Sequence, residues 1–451
     1  MNNKGLFKNI VTLAWPTMLE QLMQTLVQYI DLIMVGSLGT VATAAVGSTT
    51  TINWLVNSAV SAIGIGFLSY IAKALGAGKK ENAKKASAQA VFVTLVAGIL
   101  FTVITLALSS FVPKWMQIDK RIQKTAAQYF FILYAPMLFR AETTVFGTVL
   151  RAAGDTRTPM IVGVIVNFTN VILNFIFIYP TRQITLFSQK ITVFGLDKGV
   201  IGAGLASAIA FTLGGILITV ALFNHPDISP KKQKILPDKK ILTPCLKVAF
   251  PNMLQRITTC LGYVVFAAMI NSLGEISTAA HTVANTVESA FYIPGYGMQT
   301  AAATLAGNAL GEKNNDKLRT LAKLLIIIET VLMILSGALL FVFAPQMLAL
   351  FSKDSKVIAL GVIVLKMVAL SEPFFGISII MEGMLQGMGK TVQSFAYNVI
   401  GMWGIRIIGT LVCTQVFTMG LESAWACMIA HNLLLCILYI VYWSQNRNNL
   451  V

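Results

Sequence analysis

Residues 15–39 read WPTMLEQLMQTLVQYIDLIMVGSLG. The segment is apolar enough to lie in a bilayer, yet Gln21, Gln24, Gln28 and Asp31 recur in it at steps of three, four and three. On a helix those steps set all four side chains on one face. A polar stripe ending in a carboxylate is costly in lipid unless it meets water or a partner, so Asp31 is a functional candidate. The bland alternative is an acid near the interface that only caps or packs. Pro16 precedes the stripe. A proline inside a spanning helix removes one backbone hydrogen bond and permits a kink, which makes Pro16 a candidate hinge.

The remainder of the chain extends this pattern. Of its 451 residues, 56% are hydrophobic and only 12% are charged, about half the charged fraction of a soluble globular protein. The apolar residues fall into runs long enough to span a bilayer as helices. Twelve spans are expected, near residues 11–35, 46–75, 88–112, 128–152, 159–179, 199–223, 243–271, 279–309, 320–345, 357–387, 392–417 and 423–443. The fold class is therefore an all-α polytopic membrane protein. The net charge of +16 follows from Lys and Arg flanking the spans, where it reports orientation and attraction to anionic lipid rather than nucleic-acid binding. The five cysteines have no metal-type spacing. The first segment lacks a signal-peptide cleavage pattern, so the first span is expected to be retained.

The two halves of the chain resemble each other. At an offset of 235 residues, PTMLEQLMQTL at 16–26 falls on PNMLQRITTCL, and eleven positions between 16 and 45 are identical without a gap. ALGAGKKENAKK then falls on ALGEKNNDKLRT, and LRAAGDT on LQGMGKT, in the same register. The expected organisation is an N-lobe over 1–223, a Lys- and Pro-rich cytoplasmic linker over 224–242, and a C-lobe over 243–451. Each lobe has six spans, so both copies start on the same side and the repeats are parallel. Basic residues concentrate on the segments that would lie inside if both termini are cytoplasmic.

Further polar stripes repeat the theme. Asn53 and Asn57 share a face of the second span, Asn167, Asn170 and Asn174 a face of the fifth, and His281, Asn285, Glu288 and Tyr292 a face of the eighth. Glu288 and Tyr292 fall on Asn53 and Asn57 at the repeat offset. Equivalent polar faces in both lobes are what lining a shared aqueous cavity requires, with interhelical hydrogen bonding the competing account. Asp31 falls on Phe266, so that acid belongs to the first lobe only. In the second lobe Arg256 and Glu288 are candidates to pair with each other. Arg140, Glu142, Lys366, Glu372, Glu382 and Arg406 sit nearer expected span ends, where snorkelling is the cheaper account. No loop has the spacing of a phosphate cradle, so an ion gradient rather than ATP is the expected energy source. The scattered histidines imply no metal site, and no cofactor is expected.

The pattern resembles the multidrug and toxic compound extrusion (MATE) family. The residues that carry the likeness are Pro16, Asp31-x-x-Met-Val-Gly36-Ser-Leu-Gly39 and Ala44-Ala45-Val-Gly47, LRAAGDTRTPM at 150–160 with its echo MEGMLQGMGKT at 381–391, and NVILNFIFIYP followed by GVIGAGLASA at 199–208. The resemblance implies an antiporter of two six-helix lobes around a V-shaped cavity, which expels cationic, amphipathic drugs in exchange for protons or sodium. Carried over residue by residue, the first-lobe cation site is Asp31, Asn170, Asn174 and Ser207. Members with a well-formed site carry a second acid where this chain has Asn174. One carboxylate in place of two weakens a sodium cage and leaves a protonatable Asp intact. The NorM branch has acids in the seventh and tenth spans, and the matching positions here are Thr259 and Phe375, which places the chain nearer the DinF-like branch.

In the expected cycle, an inward-moving cation and an outgoing organic cation compete for the charge of Asp31, with Gln21, Gln24, Gln28, Asn53, Asn57, Arg256, Glu288 and Tyr292 lining the substrate cavity. Competition for one charge makes the coupling reciprocal. The expected partners are small cationic molecules and the lipid of a cell inner or plasma membrane; the chain is expected to act as a monomer without nucleic acid. The alternative is a flippase for a lipid-linked precursor, which wants a strongly basic cavity where Arg256 stands nearly alone. An intramembrane enzyme would need a clustered nucleophile and base or metal ligands that the sequence lacks, and a channel sits poorly with a two-lobe repeat.

Overall fold

The computed structural model describes residues 3–47, 49–116, 119–186 and 189–446, and these are almost all helical. In chain order the elements begin with α1 (Asn3–Gly36), α2 (Thr40–Gly47), α3 (Thr50–Gly76), α4 (Lys80–Leu108), α5 (Val112–Trp115), α6 (Lys120–Tyr134), α7 (Met137–Ala152) and α8 (Arg157–Phe177). A hairpin of β1 (Pro180–Leu186) and β2 (Gln189–Leu196) leads into α9 (Gly199–Asn224). The second half holds α10 (Lys239–Asn271), α11 (Glu275–Gly311), α12 (Asn315–Ala349), α13 (Ser355–Ala369), α14 (Glu372–Gly387), α15 (Thr391–Val399), α16 (Ile408–Leu411) and α17 (Leu421–Asn446). Two π-helical stretches, Ile400–Ile407 and Val412–Val416, flank α16.

Among the described residues, eight helices are long and apolar enough to cross a membrane, or nine if the bent pair α13–α14 forms one span. With α1, α11 and the pair α6–α7, they make twelve segments where the sequence places them. Polar stripes lower the hydropathy of α1 and α11. The tenth segment bends by 53° between α13 and α14, where Pro373 occupies the first turn of α14 and cannot continue the preceding hydrogen-bond ladder. The apolar surface has the pattern expected against lipid. On α12, Ile327, Val331, Ile334, Leu335, Leu339 and Val342 are exposed, while Leu325, Glu329, Met333, Gly337, Leu340 and Ala344 are buried on the opposite face. Capping residues start the helices: Asp119, Asn314 and Asp354 accept from Arg121 N, Lys317 N and Lys356 N at 3.0, 2.9 and 2.8 Å.

The internal repeat is written into the backbone. Positive φ angles occur in pairs at the 235-residue offset: Gly39 with Gly274, Gly78 with Lys313, and Gly154 with Gly389. The same turns therefore end or connect the same helices in both copies.

Residues group by contact into two units. The N-terminal unit comprises Leu22–Gly64 and Glu81–Leu242. In it α9 packs against α6, α7 and α8. The β hairpin is antiparallel, with Arg182 opposite Val193 and a bulge between Pro180 and Arg182. The guanidinium of Arg182 stacks over Tyr179 at 4.0 Å and Phe175 at 4.3 Å. The segment after α9 is held against α4: Gln89 Nε2 donates to Leu236 O at 2.7 Å, and Asp238 N donates to Gln89 Oε1 at 2.9 Å.

The C-terminal unit comprises Met1–Gln21, Ile65–Lys80 and Thr243–Val451. Its core joins Leu6, Ile10 and Ala14 of α1 to α11, α12, α14 and α17. α11 and α14 approach closely because Gly387 lies on the Ala303 carbonyl, where a Cβ would overlap it. Gly311 meets Lys73 O in the same way. Small residues at such crossings let backbones pack without side-chain bulk, the common solution in membranes. α1 runs through Pro16 without a break, and Thr17 Oγ1 donates to Ala14 O and Gly297 O, both at 2.8 Å.

Candidate functional site

In the N-terminal unit, three helices bring the expected cation-site residues together. Asn170 and Asn174 stand one turn apart on the buried face of α8, which packs on α9, the carrier of Ser207. Asn174 Nδ2 donates to Asp31 Oδ1 at 2.6 Å and to Asn170 Oδ1 at 3.1 Å, and Asn170 Nδ2 donates to Ser207 Oγ at 3.0 Å. Turning the Asn170 amide by 180° gives a second arrangement, in which it donates to Asp31 Oδ1 at 2.9 Å and accepts from Ser207 Oγ. The orientations differ in whether Asp31 has one amide donor or two. Asn174 Oδ1 is buried without a protein partner. Two carboxylate oxygens, two amide oxygens and a hydroxyl make a hard-oxygen set for a small cation, and the single carboxylate is equally suited to carry a proton. Asp31 itself is half-buried, between its partners and the surface of the unit.

The residues expected to line a cavity are placed as follows. Gln24 and Gln28 are exposed and Gln21 is half-buried. Asn53 Oδ1 accepts from Tyr134 OH at 3.1 Å, and Asn57 is half-buried. Tyr292 stands edge-on to Tyr296 and Phe375, with ring centres 5.9 and 5.5 Å away. Pro16 is buried in the C-terminal unit. Arg256 and Glu288 do not pair. Arg256 Nε donates to Asn252 Oδ1 at 3.1 Å and lies within electrostatic reach of Glu382, whose Oε1 accepts from Gln255 and Gln386 at 2.8 and 2.9 Å. Glu288 instead lies within reach of Arg406.

Snorkelling fails for four of the six charged residues assigned to span ends: Arg140, Glu142, Glu372 and Arg406 are all buried. Helix ends read from hydropathy placed them too near the interface, since α7, α14 and the π-helical stretch turn these side chains inward. Arg140 lies over Phe211 and Tyr134 at 4.8 and 5.8 Å, and Glu142 Oε2 accepts from Thr219 Oγ1 at 3.3 Å.

Sequence spacing singles out Glu288 and Glu372 separately and passes over Glu329, yet the three acids form one group. Glu288, Glu329 and Glu372, from α11, α12 and α14, act on one another electrostatically through Glu372 inside the C-terminal unit. Glu329 is 0% and Glu372 1% exposed; neither Glu329 oxygen has a protein partner, nor does Glu372 Oε2. The signal was present. Glu329 interrupts the run LLIIIETVLMIL and falls on the stripe opposite the lipid-facing residues, where an acid calls for explanation. Glu372 lies one turn before Phe375.

Comparison with known proteins follows these features closely. The sequence model of the MatE family matches twice, over residues 16–176 and 251–412, in register with the repeat. A probable multidrug resistance protein NorM of Thermotoga maritima is 26% identical over 98% of this chain and 92% of its own length. The multidrug export protein MepA of Staphylococcus saprophyticus is 22% identical over 98% of this chain and 95% of its own. A solved structure described as the outward-facing conformation of a multidrug resistance MATE family transporter superposes with a TM-score of 0.90, at 24% identity, over 99% of this chain and 96% of that one.

Proposed function

Because the chain belongs to the MatE family of membrane transporters, we propose that it is a cation-coupled antiporter that exports cationic, amphipathic compounds from the cytoplasm by alternating access. The observation that carries this reading is the 2.6 Å hydrogen bond from Asn174 to Asp31, with Asn170 and Ser207 completing the network among apolar helices. A proton or sodium ion taken up from outside neutralises Asp31 and removes its attraction for a bound organic cation. Loss of that cation inside the next cycle restores the charge and the attraction. One carboxylate thus alternates between two ligands that exclude each other. Gln21, Gln24 and Gln28 continue the polar face of α1 toward Pro16, which serves as the hinge; each in its own unit, Asn53 and Asn57, and Arg256, Glu288 and Tyr292, are the polar side chains offered to the substrate. The chain works as a monomer in the cell membrane with both termini cytoplasmic. Relatives named NorM lend no support to a place nearer the DinF-like branch.

The test is efflux of a fluorescent organic cation from everted vesicles, with a proton and a sodium gradient imposed in turn. D31N should reach the membrane at normal levels and lose efflux under both gradients. Efflux at the parental rate would remove Asp31 from the mechanism. A second reading puts coupling on Glu288, Glu329 and Glu372, and it is favoured by their burial without basic hydrogen-bond partners. It requires that E372Q, and not D31N, abolish the response to the gradient.

A further inference from the structure

The repeat places Phe266 where the N-terminal unit has Asp31, and the helical segment around Arg406 where that unit has Asn170 and Asn174. The C-terminal unit therefore has a counterpart of the Asp31 site, and its chemistry is different. The Arg406 guanidinium lies 4.2 Å from the Phe266 ring centre and 4.9 Å from that of Tyr263. Its Nη2 donates to Met428 Sδ at 3.0 Å, and its Nε has no partner. Among the described residues it forms no ion pair, although it is only 4% exposed. Glu288 lies within electrostatic reach. The wall behind Phe266 is aromatic: His281 stands edge-on to Phe266 and to Trp425, each at 5.8 Å, and accepts from Trp425 Nε1 at 3.2 Å. Tyr263 is 41% exposed and opens the group to the surface of the unit.

Two aromatic faces, a thioether and a carboxylate at a distance are the recognition elements of an organic cation. A buried guanidinium without a bonded carboxylate is expensive, and the cation–π contacts only partly offset that cost. Arg406 sits in the π-helical stretch Ile400–Ile407, a form that is rare and concentrates at functional sites. Excising the extra residue of such a bulge turns the following side chains by about 100°, one residue of helix. Gly262 packs on Met402 and Gly401 on His431, so this stretch is closely fitted on both sides of the guanidinium.

We propose that Tyr263, Phe266, Met428 and Glu288 form an organic-cation site of the C-terminal unit, for guanidinium or quaternary ammonium groups, held in this conformation by Arg406 as a tethered occupant. The inference rests on the proposed export of cationic compounds for its biological use. The Arg406 side chain competes with the ligand, and removing it frees the site.

The experiment is binding of ethylguanidinium to purified full-length protein by titration calorimetry. R406A should bind it at least tenfold more tightly than the parent, and R406K should resemble the parent. Y263A and F266A, each added to R406A, should cancel the gain. An equal affinity for parent and R406A, or a gain that survives both aromatic replacements, overturns the proposal. Should R406A fold only when ethylguanidinium is present, that dependence supports it; failure to fold with and without the ligand counts against it. Because binding is read without a gradient, the site can stand or fall separately from coupling at Asp31: a D31N protein that binds as the parent but does not transport separates the two.

Discussion

Asn174→Asp tests the N-terminal site most directly. The amide and the carboxylate are nearly the same size, so the new oxygen takes the place of Nδ2, which lies 2.6 Å from Asp31 Oδ1. A donor that stabilises the Asp31 charge is thereby exchanged for a second charge. At an effective dielectric of about 20, two unit charges about 4 Å apart repel by about 4 kcal/mol. That is roughly a thousandfold in any equilibrium that relieves the repulsion. A sodium ion held among both carboxylates, Asn170 and Ser207 relieves it, because hard cations favour several oxygens and compensating charge. Recovery of even a third of the repulsion as binding corresponds to about tenfold. The assay is efflux of ethidium from proteoliposomes over a sodium titration at fixed pH. N174D should reach half-maximal stimulation at a sodium concentration about tenfold below that of the parent. If active, correctly folded N174D follows the parental titration curve, the new carboxylate does not face Asp31 and the site has been drawn wrongly.

Three further outcomes concern the scaffold. Lys313 holds a left-handed φ of 54° at the position where the first repeat has Gly78, so K313G should raise the thermal midpoint, by the equivalent of about 1 kcal/mol, in a melting experiment in detergent. Gly387→Ala drives a methyl into the Ala303 carbonyl and should destabilise the protein by about 1–3 kcal/mol, seen as a lower midpoint and less folded protein on size exclusion. Gln89→Ala removes both hydrogen bonds that fix residues 236 and 238, a loss of about 1–3 kcal/mol locally, and should speed limited proteolysis between residues 225 and 238 without changing the midpoint appreciably.

Much of this protein was legible as sequence because the helical periodicity dominates it. The lipid-facing and buried stripes of α12 and the polar faces of α1 and α8 follow the helical repeat, so Asp31, Asn170 and Asn174 were found by spacing and are joined by hydrogen bonds in the structure. Ser207 came through resemblance alone, since nothing in its own neighbourhood marks it. The hairpin of β1 and β2 went unread, although ITLFSQKITVF alternates with period two and is rich in β-branched residues; hydropathy averaged over a span-sized window erases so short a signal. The charged residues were misplaced for a related reason. A side chain near the end of an apolar run has no fixed depth until the helix ends are known, and Glu372 lies beyond a 53° bend that moves it inward. The π-helical stretch under Arg406 changes which way a residue points with no counterpart in composition.

The first helix bears on how such a chain can be divided. Leu6, Ile10 and Ala14 belong to a core whose other members lie beyond residue 297, while Asp31, on the same helix, is bonded to Asn174. A gene split in the linker would thus yield two polypeptides of which neither is self-sufficient: the N-terminal one would carry off an apolar plug, and the C-terminal one would be left with an open socket. The duplication visible in the sequence did not leave two separable proteins, and fragments made at that boundary should be recovered only when they are synthesised together.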